Sequence, residues 1–167
     1  EMRHVLIPPA IDTSFFSQID RSADETIGIP ERPMRILSVG RLEWKKGYEH
    51  AFDAVRSLEN RGIACHYRVI GDGNYYEPLA FARHQMGLTD EVELLGAQPR
   101  EVVRAQMAWS DVFLHASISE GFCNAVVEAQ AHIDHRPDGD GVALRDHRAL
   151  HHPLHRHDPH LRHVHDR

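Results

Sequence analysis

From position 34 to position 131, short apolar runs alternate with amphipathic stretches. Residues 34–39 form a β-rich run that Gly40 ends. Tyr48, Ala51, Phe52, Val55 and Leu58 then recur at helical spacing, and Arg61-Gly62 supplies a stop. Residues 67–70 read as a second strand closed by Gly71-Asp72-Gly73, and residues 77–86 as a helix ended by Gly87. Residues 92–95 give a third strand. Pro99 fits the first turn of a helix whose apolar face carries Val102, Val103 and Met107. Residues 111–115 give a fourth strand, and Phe122, Ala125, Val126 and Ala129 mark a helix face from Gly121 onward. Strands alternating with helices predict an α/β fold, a Rossmann-like parallel sheet with flanking helices. Such sheets take ligands beyond the carboxyl ends of their strands. The loops at 40–47, 71–74, 96–99 and 116–121 are therefore the ones to inspect.

The pattern fails at both ends. Residues 1–33, punctuated by Pro8-Pro9, Pro30 and Pro33, read as a connector. Residues 132–167 hold ten of the fifteen histidines, with six Arg and six Asp, so 22 of 36 positions are one of three residue types. Apolar residues there are sparse and aperiodic, too few to offset chain entropy, and a disordered tail is expected. A GC-rich gene read out of frame gives this composition, which suggests a frameshift near Ala131/His132. His-rich spacing without an apolar scaffold would bind metal only opportunistically. The ordered unit is expected at 34–131, with the sheet truncated after its fourth strand and helix. Its open edge predicts poor solubility.

Composition removes several classes of function. A net charge of −6 and a pI near 6.2 argue against nucleic-acid binding. Cys65 and Cys123 are too few for a disulfide framework and lack metal-type spacing. A reducing, cytoplasmic setting follows. No apolar run approaches the roughly 18 residues of a membrane span. The chain starts at Glu1, as an internal piece of a longer protein would.

Two motifs carry chemistry. In the first, Gly40 and Gly47 bracket Arg41, Lys45 and Lys46 after a strand. Arg pairs with phosphate oxygens through a planar fork, and Lys brings a compact point charge. An ordinary charged turn fits equally well, with Lys45 facing solvent. In the second, Glu120 and Glu128 lie eight positions apart around Gly121. On one helix they would stand about 12 Å apart, beyond the roughly 5–9.5 Å of glycoside-hydrolase pairs. One acid at each end of an extended ligand suits that distance, with helix amides free for a phosphate or sugar oxygen. The competing reading makes Glu120 a first-turn acid and Glu128 part of a solvated face. Gly71-Asp72-Gly73 lacks the third glycine of a dinucleotide fingerprint and reads as a tight turn. Cys123 and His115 read as structural residues.

Taken together, these stretches resemble the donor-binding, C-terminal half of a GT-B glycosyltransferase of family 4, glycosyl transferases group 1. The likeness rests on Ile7-Pro8-Pro9-Ala10-Ile11-Asp12 with Phe15-Phe16, on Val39-Gly40-Arg41-Leu42 with Lys46-Gly47, and on Val69-Ile70-Gly71-Asp72-Gly73. It is completed by Ser117-Ile118-Ser119-Glu120-Gly121-Phe122 through Glu128-Ala129-Gln130-Ala131. The bacterial exopolysaccharide, colanic-acid type is most similar. The resemblance implies retaining transfer of a sugar from a nucleotide-diphosphate donor, usually with no required metal or other cofactor. It places Arg41 and Lys46 on the diphosphate, Glu120 on the donor sugar and Glu128 on the ribose. Gly40, Gly71 and the backbone of Gly121, Phe122, Cys123 and Asn124 would line the donor. The acceptor, a glycan or lipid-linked sugar, would be bound through a separate N-terminal domain. That arrangement leaves room for peripheral association with the inner face of a bacterial membrane. Cys123 departs from the glycine usual at its position. Without its partner domain the fragment is expected to be inactive. A non-catalytic nucleotide-binding module and a flavodoxin-like partner-binding domain remain as alternatives.

Overall fold

A computed structural model describes residues 12–16, 27–120 and 123–133 of the chain. The entry motif at 7–11, Gly121, Phe122 and the tail from 134 lie outside the described residues. The elements run α1 (Thr13–Phe16), β1 (Met34–Val39), a 3₁₀ turn (Trp44–Lys46), α2 (Tyr48–Glu59), β2 (Cys65–Ile70) and α3 (Tyr76–Gln85). They continue with β3 (Val92–Gly96), α4 (Arg100–Trp109), β4 (Val112–Phe113) and α5 (Asn124–Ile133). The strands form one parallel sheet in the order β3-β2-β1-β4. The chain steps outward from β1 to β3, then crosses back through α4 and lays β4 on the far side of β1. The strand order reverses between β1 and β4, the position where open α/β sheets form a ligand crevice.

Each face of the sheet carries its own core. On one, Ile36, Tyr67 and Val69 meet Phe52 and Val55 of α2 and Leu79 of α3. On the other, Leu37 and Ile70 meet Val103 and Met107 of α4, Ala129 and Ala131 of α5, and Phe16 of α1. Phe52 and Phe16 are fully buried, and truncating such a ring to alanine typically costs about 3–5 kcal/mol.

β2 begins at Cys65, two residues before the apolar run suggests. His66 and Arg68 hide its start because their face is covered by Trp109 rather than by aliphatic side chains. The Arg68 guanidinium lies 4.1 Å from the indole centroid and also donates to Glu93 and Gln106, each at 2.9 Å. β4 is shorter than expected, although its hydrogen bonds to β1 reach from Asp111 N–H to Leu114 N–H. Arg32 donates both terminal nitrogens to the Asp111 carboxylate at 2.9 Å, tying the segment before β1 to the start of β4.

Two expected boundaries move. α5 runs to Ile133, past the 131/132 seam, and His132 is buried with Nδ1 3.0 Å from the Phe16 carbonyl. Phe15 and Phe16, expected in a connector, pack within the fold because Phe16 plugs the space between α4 and α5. Among the described residues no helix is long and apolar enough to cross a membrane.

Gly47 carries the tightest constraint. Its φ is 68°, and a Cβ there would stand 2.2 Å from the Ala116 carbonyl oxygen. Gly62 has a similar φ of 76° with nothing within 4 Å. Gly62→Ala should therefore cost only the left-handed backbone penalty, about 1–2 kcal/mol. Gly47→Ala should cost more, about 3 kcal/mol or above, because backbone must move as well. Urea unfolding of the two variants measures the difference, and equal losses would mean the loops after β1 and β4 do not touch.

Candidate functional site

The site is built where two crossover loops meet at the crest of the sheet. After β1, Gly40 N–H donates to Ile70 O and Leu42 N–H to Asp72 O, both at 2.9 Å. Leu42 is buried as an anchor. Gly71 follows β2 with φ 151°, and a Cβ there would sit 1.8 Å from the Gly40 oxygen. The loops after β1 and β2 are thus pressed backbone to backbone. Tyr48 at the start of α2 donates its hydroxyl to Gly40 O at 3.1 Å. Burial pushes that phenol well above its ordinary pKa.

The loop after β4 closes the crest from the other side. Ile118 N–H donates to the Lys45 carbonyl at 2.8 Å, and Ser117 Oγ lies 3.2 Å from the same carbonyl, within reach of its single proton. This clasp delivers Lys46 Nζ to within 2.6 Å of Glu120 Oε2. Ser117 Oγ donates to the same oxygen at 2.9 Å. Burial pushes the Glu120 carboxyl up, but the hydrogen bonds from Lys46 and Ser117 and the nearby charges outweigh it and hold the group below its usual range. Beneath the pair lies a small hollow lined by Ser38, Lys46, Tyr48, Tyr67, His115 and Ala116. Its floor is a hydroxyl relay: Tyr67 donates to Ser38 Oγ at 2.7 Å, and Ser38 donates to Leu114 O at 2.6 Å.

The structure brings some expected residues together and separates others. The sequence motifs put Lys46 and Glu120 on different parts of a ligand, whereas in the structure they contact each other directly. Arg41 points away from them: its side chain is 76% exposed and pairs with Glu43 at 3.1 Å. Lys45 does not simply face solvent, since it pairs with the other Glu43 oxygen at 2.9 Å. Its hydrogen bond holds the Glu43 carboxyl below its ordinary value. Glu120 is not a first-turn acid, because α5 starts four residues later, at Asn124. Glu128 lies on α5 and is half-buried. Burial pushes its carboxyl up against a weaker pull from the Arg100 charge. Among the described residues nothing hydrogen-bonds that carboxylate. Cys123 and Asn124 stand at the start of α5, with the Cys123 carbonyl accepting from Val126 N–H at 3.2 Å.

His115 is the residue the sequence reading undervalued. Its Nε2 lies 3.7 Å from Glu120 Oε2 and its Nδ1 3.9 Å from Cys123 Sγ. The available signal was its place at the end of the fourth strand, beside the crossing point. Among the described residues no group of three or more His, Cys, Asp or Glu is placed to hold a metal ion.

A family described as glycosyl transferases group 1 matches residues 20–132. The chain belongs to this family. WcaL of Escherichia coli K12, named for colanic acid biosynthesis, is 36% identical over 117 residues, covering 66% of this chain and 29% of WcaL. The amylovoran biosynthesis glycosyltransferase AmsK of Erwinia amylovora is 37% identical over 106 residues, covering 60% of this chain and 26% of AmsK. Among solved structures, Anabaena Alr3699/HepE in complex with UDP and glucose shares the fold. Its TM-score is 0.54 at 24% identity, over 60% of this chain and 27% of that one. The chain thus spans less than a third of the length of these relatives, and its Rossmann-like sheet is that of their GT-B fold.

The two thiols provide a check on this geometry. Cys65 is buried in the first core and its thiol is pushed up to about 11 by that burial. Cys123 is only half-buried at the crest. Ellman's reagent should therefore titrate Cys123 in the native protein and Cys65 only after unfolding. Two fast thiols would show that the core around β2 is open.

Proposed function

We propose that this chain is the donor-binding part of a glycosyltransferase that moves a sugar, with retention of configuration, from a nucleotide-diphosphate sugar. The carrying observation is the meeting of Lys46 and Glu120, 74 residues apart in sequence, where the strand order reverses. A cation beside an acid at that crest suits a ligand with an anionic centre and hydroxyls on either side. Lys46 takes the diphosphate and offsets charge on the departing nucleotide. Arg41 joins it by leaving Glu43, an exchange that costs little for an exposed pair. Glu120 accepts hydrogen bonds from the donor sugar.

Glu128 takes the ribose hydroxyls. Its carboxylate is half-buried and has no hydrogen-bonding partner among the described residues, so two ligand hydroxyls would supply what burial removed. Backbone donors at Cys123 and Asn124 would line the phosphates where the chain enters α5. The acceptor is a glycan or lipid-linked sugar of exopolysaccharide assembly, held by a further domain, with the enzyme working in the cytoplasm at the membrane's inner face. The names of WcaL and AmsK, for colanic acid and amylovoran biosynthesis, support exopolysaccharide assembly as the process.

Calorimetric titration with UDP, GDP and their sugar conjugates tests the reading. At least one should bind. Lys46→Ala should weaken it about tenfold to a hundredfold, the value of one charge-assisted contact. Glu128→Ala should weaken nucleoside diphosphates by a similar factor. No binding by a cooperatively folded sample overturns the assignment.

A further inference from the structure

We infer that His115 is a positioning residue, one that takes charge of Glu120 when the donor diphosphate draws Lys46 away. The inference rests on the function proposed above and on one difficulty in it. The two residues meant for the ligand already satisfy each other, with Lys46 Nζ 2.6 Å from Glu120 Oε2. Donor binding must break that contact and leave a partly shielded carboxylate without its cation.

His115 is placed to replace it. Its Nε2 stands 3.7 Å from the same Glu120 oxygen, and the residue also lines the hollow beneath the pair. Other titratable groups face this cluster from each neighbouring element. Lys46 comes from the 3₁₀ turn, Tyr48 from α2, and Cys123 from the start of α5 with Sγ 3.9 Å from His115 Nδ1. Tyr48 keeps its proton, because burial raises its pKa far above neutrality. Histidine is the member that can gain a proton near neutral pH. When Lys46 turns to phosphate, the imidazole takes up a proton and becomes the cation beside Glu120. The carboxylate then stays ionised and aimed at the sugar.

The sign follows from this exchange. Binding consumes a proton, so affinity should rise as pH falls through the histidine range. UDP-glucose and GDP-mannose are suitable probes because their diphosphates, esterified at both ends, do not titrate there. Calorimetry in buffers of different ionisation heat should give an uptake of about half a proton per donor near neutral pH. Affinity should improve about tenfold from pH 8 to pH 6.

His115→Gln should abolish both effects, and so should Glu120→Gln, whereas Cys123→Ser should keep the uptake. In the unaltered chain, the His115 imidazole resonances should titrate at higher pH with donor bound than without. Equal proton uptake in His115→Gln, or a His115 titration that ligand does not move, overturns the inference while leaving the donor site standing. Binding of neither probe nor any nucleoside diphosphate removes the donor site and this inference together.

Discussion

The crest of this domain exists because two loops can touch where a side chain would not fit. At Gly47 the backbone turns through a left-handed conformation against the Ala116 carbonyl, with no space for a Cβ. The residues on either side inherit their positions from that contact. Lys45 gives its carbonyl to Ile118 and Ser117, and Lys46 is left facing Glu120. The pairing is therefore a consequence of backbone packing, and the ion pair itself is not what holds the loops together. An exposed or half-exposed ion pair contributes at most about 1 kcal/mol, which is too little to fix two crossovers.

That weakness suits the function proposed above. Charges that are easily separated can be traded for a ligand's at small cost, whereas a fully buried pair would resist the exchange. The crest holds two such exchangeable pairs, Arg41 with Glu43 and Lys46 with Glu120. Both cations are kept close to the strand ends and away from the sheet's apolar faces. Glu128 shows the opposite arrangement, a carboxylate that burial disfavours and that the Arg100 charge offsets only in part. A ligand that brings a central anion and terminal hydroxyls would engage both cations and satisfy Glu128.

Much of this was legible in the sequence because the fold repeats one local rule. Each strand appears as an apolar run, each helix as a periodic face, and Gly47 and Gly71 punctuate the turns that come close to other backbone. Local rules cannot show which side chains a crossover will bring together. Arg32 and Asp111 are separated by 79 positions, and nothing near either one announces a bidentate pair. The direction of Arg41 was equally hidden, because Glu43 two residues later competes for it. His115 reads as structural in the sequence, because only the strand order places its strand end at the crossing point. His66 and Arg68 obscured the start of β2 because a tryptophan can cover cations where aliphatic side chains cannot.

The helix that carries Glu128 shows why the ordered region extends beyond its motifs on both sides. α5 presents Ala129 and Ala131 to the sheet, small residues that let it lie close but bury little area of their own. Ledges of that kind need a wedge. Phe16 supplies one from upstream, fully buried between α4 and α5, with Phe15 edge-on at 5.2 Å and Arg100 stacked 4.5 Å above that ring. His132 closes the contact from the last turn of α5 by reaching the Phe16 carbonyl. Arg100 also provides the charge that partly offsets the burial of Glu128. The segment that looks like a connector is thereby joined to the candidate site: it packs against α5, the helix that carries Glu128. Shortening the chain to its apparent motif boundaries would remove this wedge and leave Glu128 on a helix with little to hold it down.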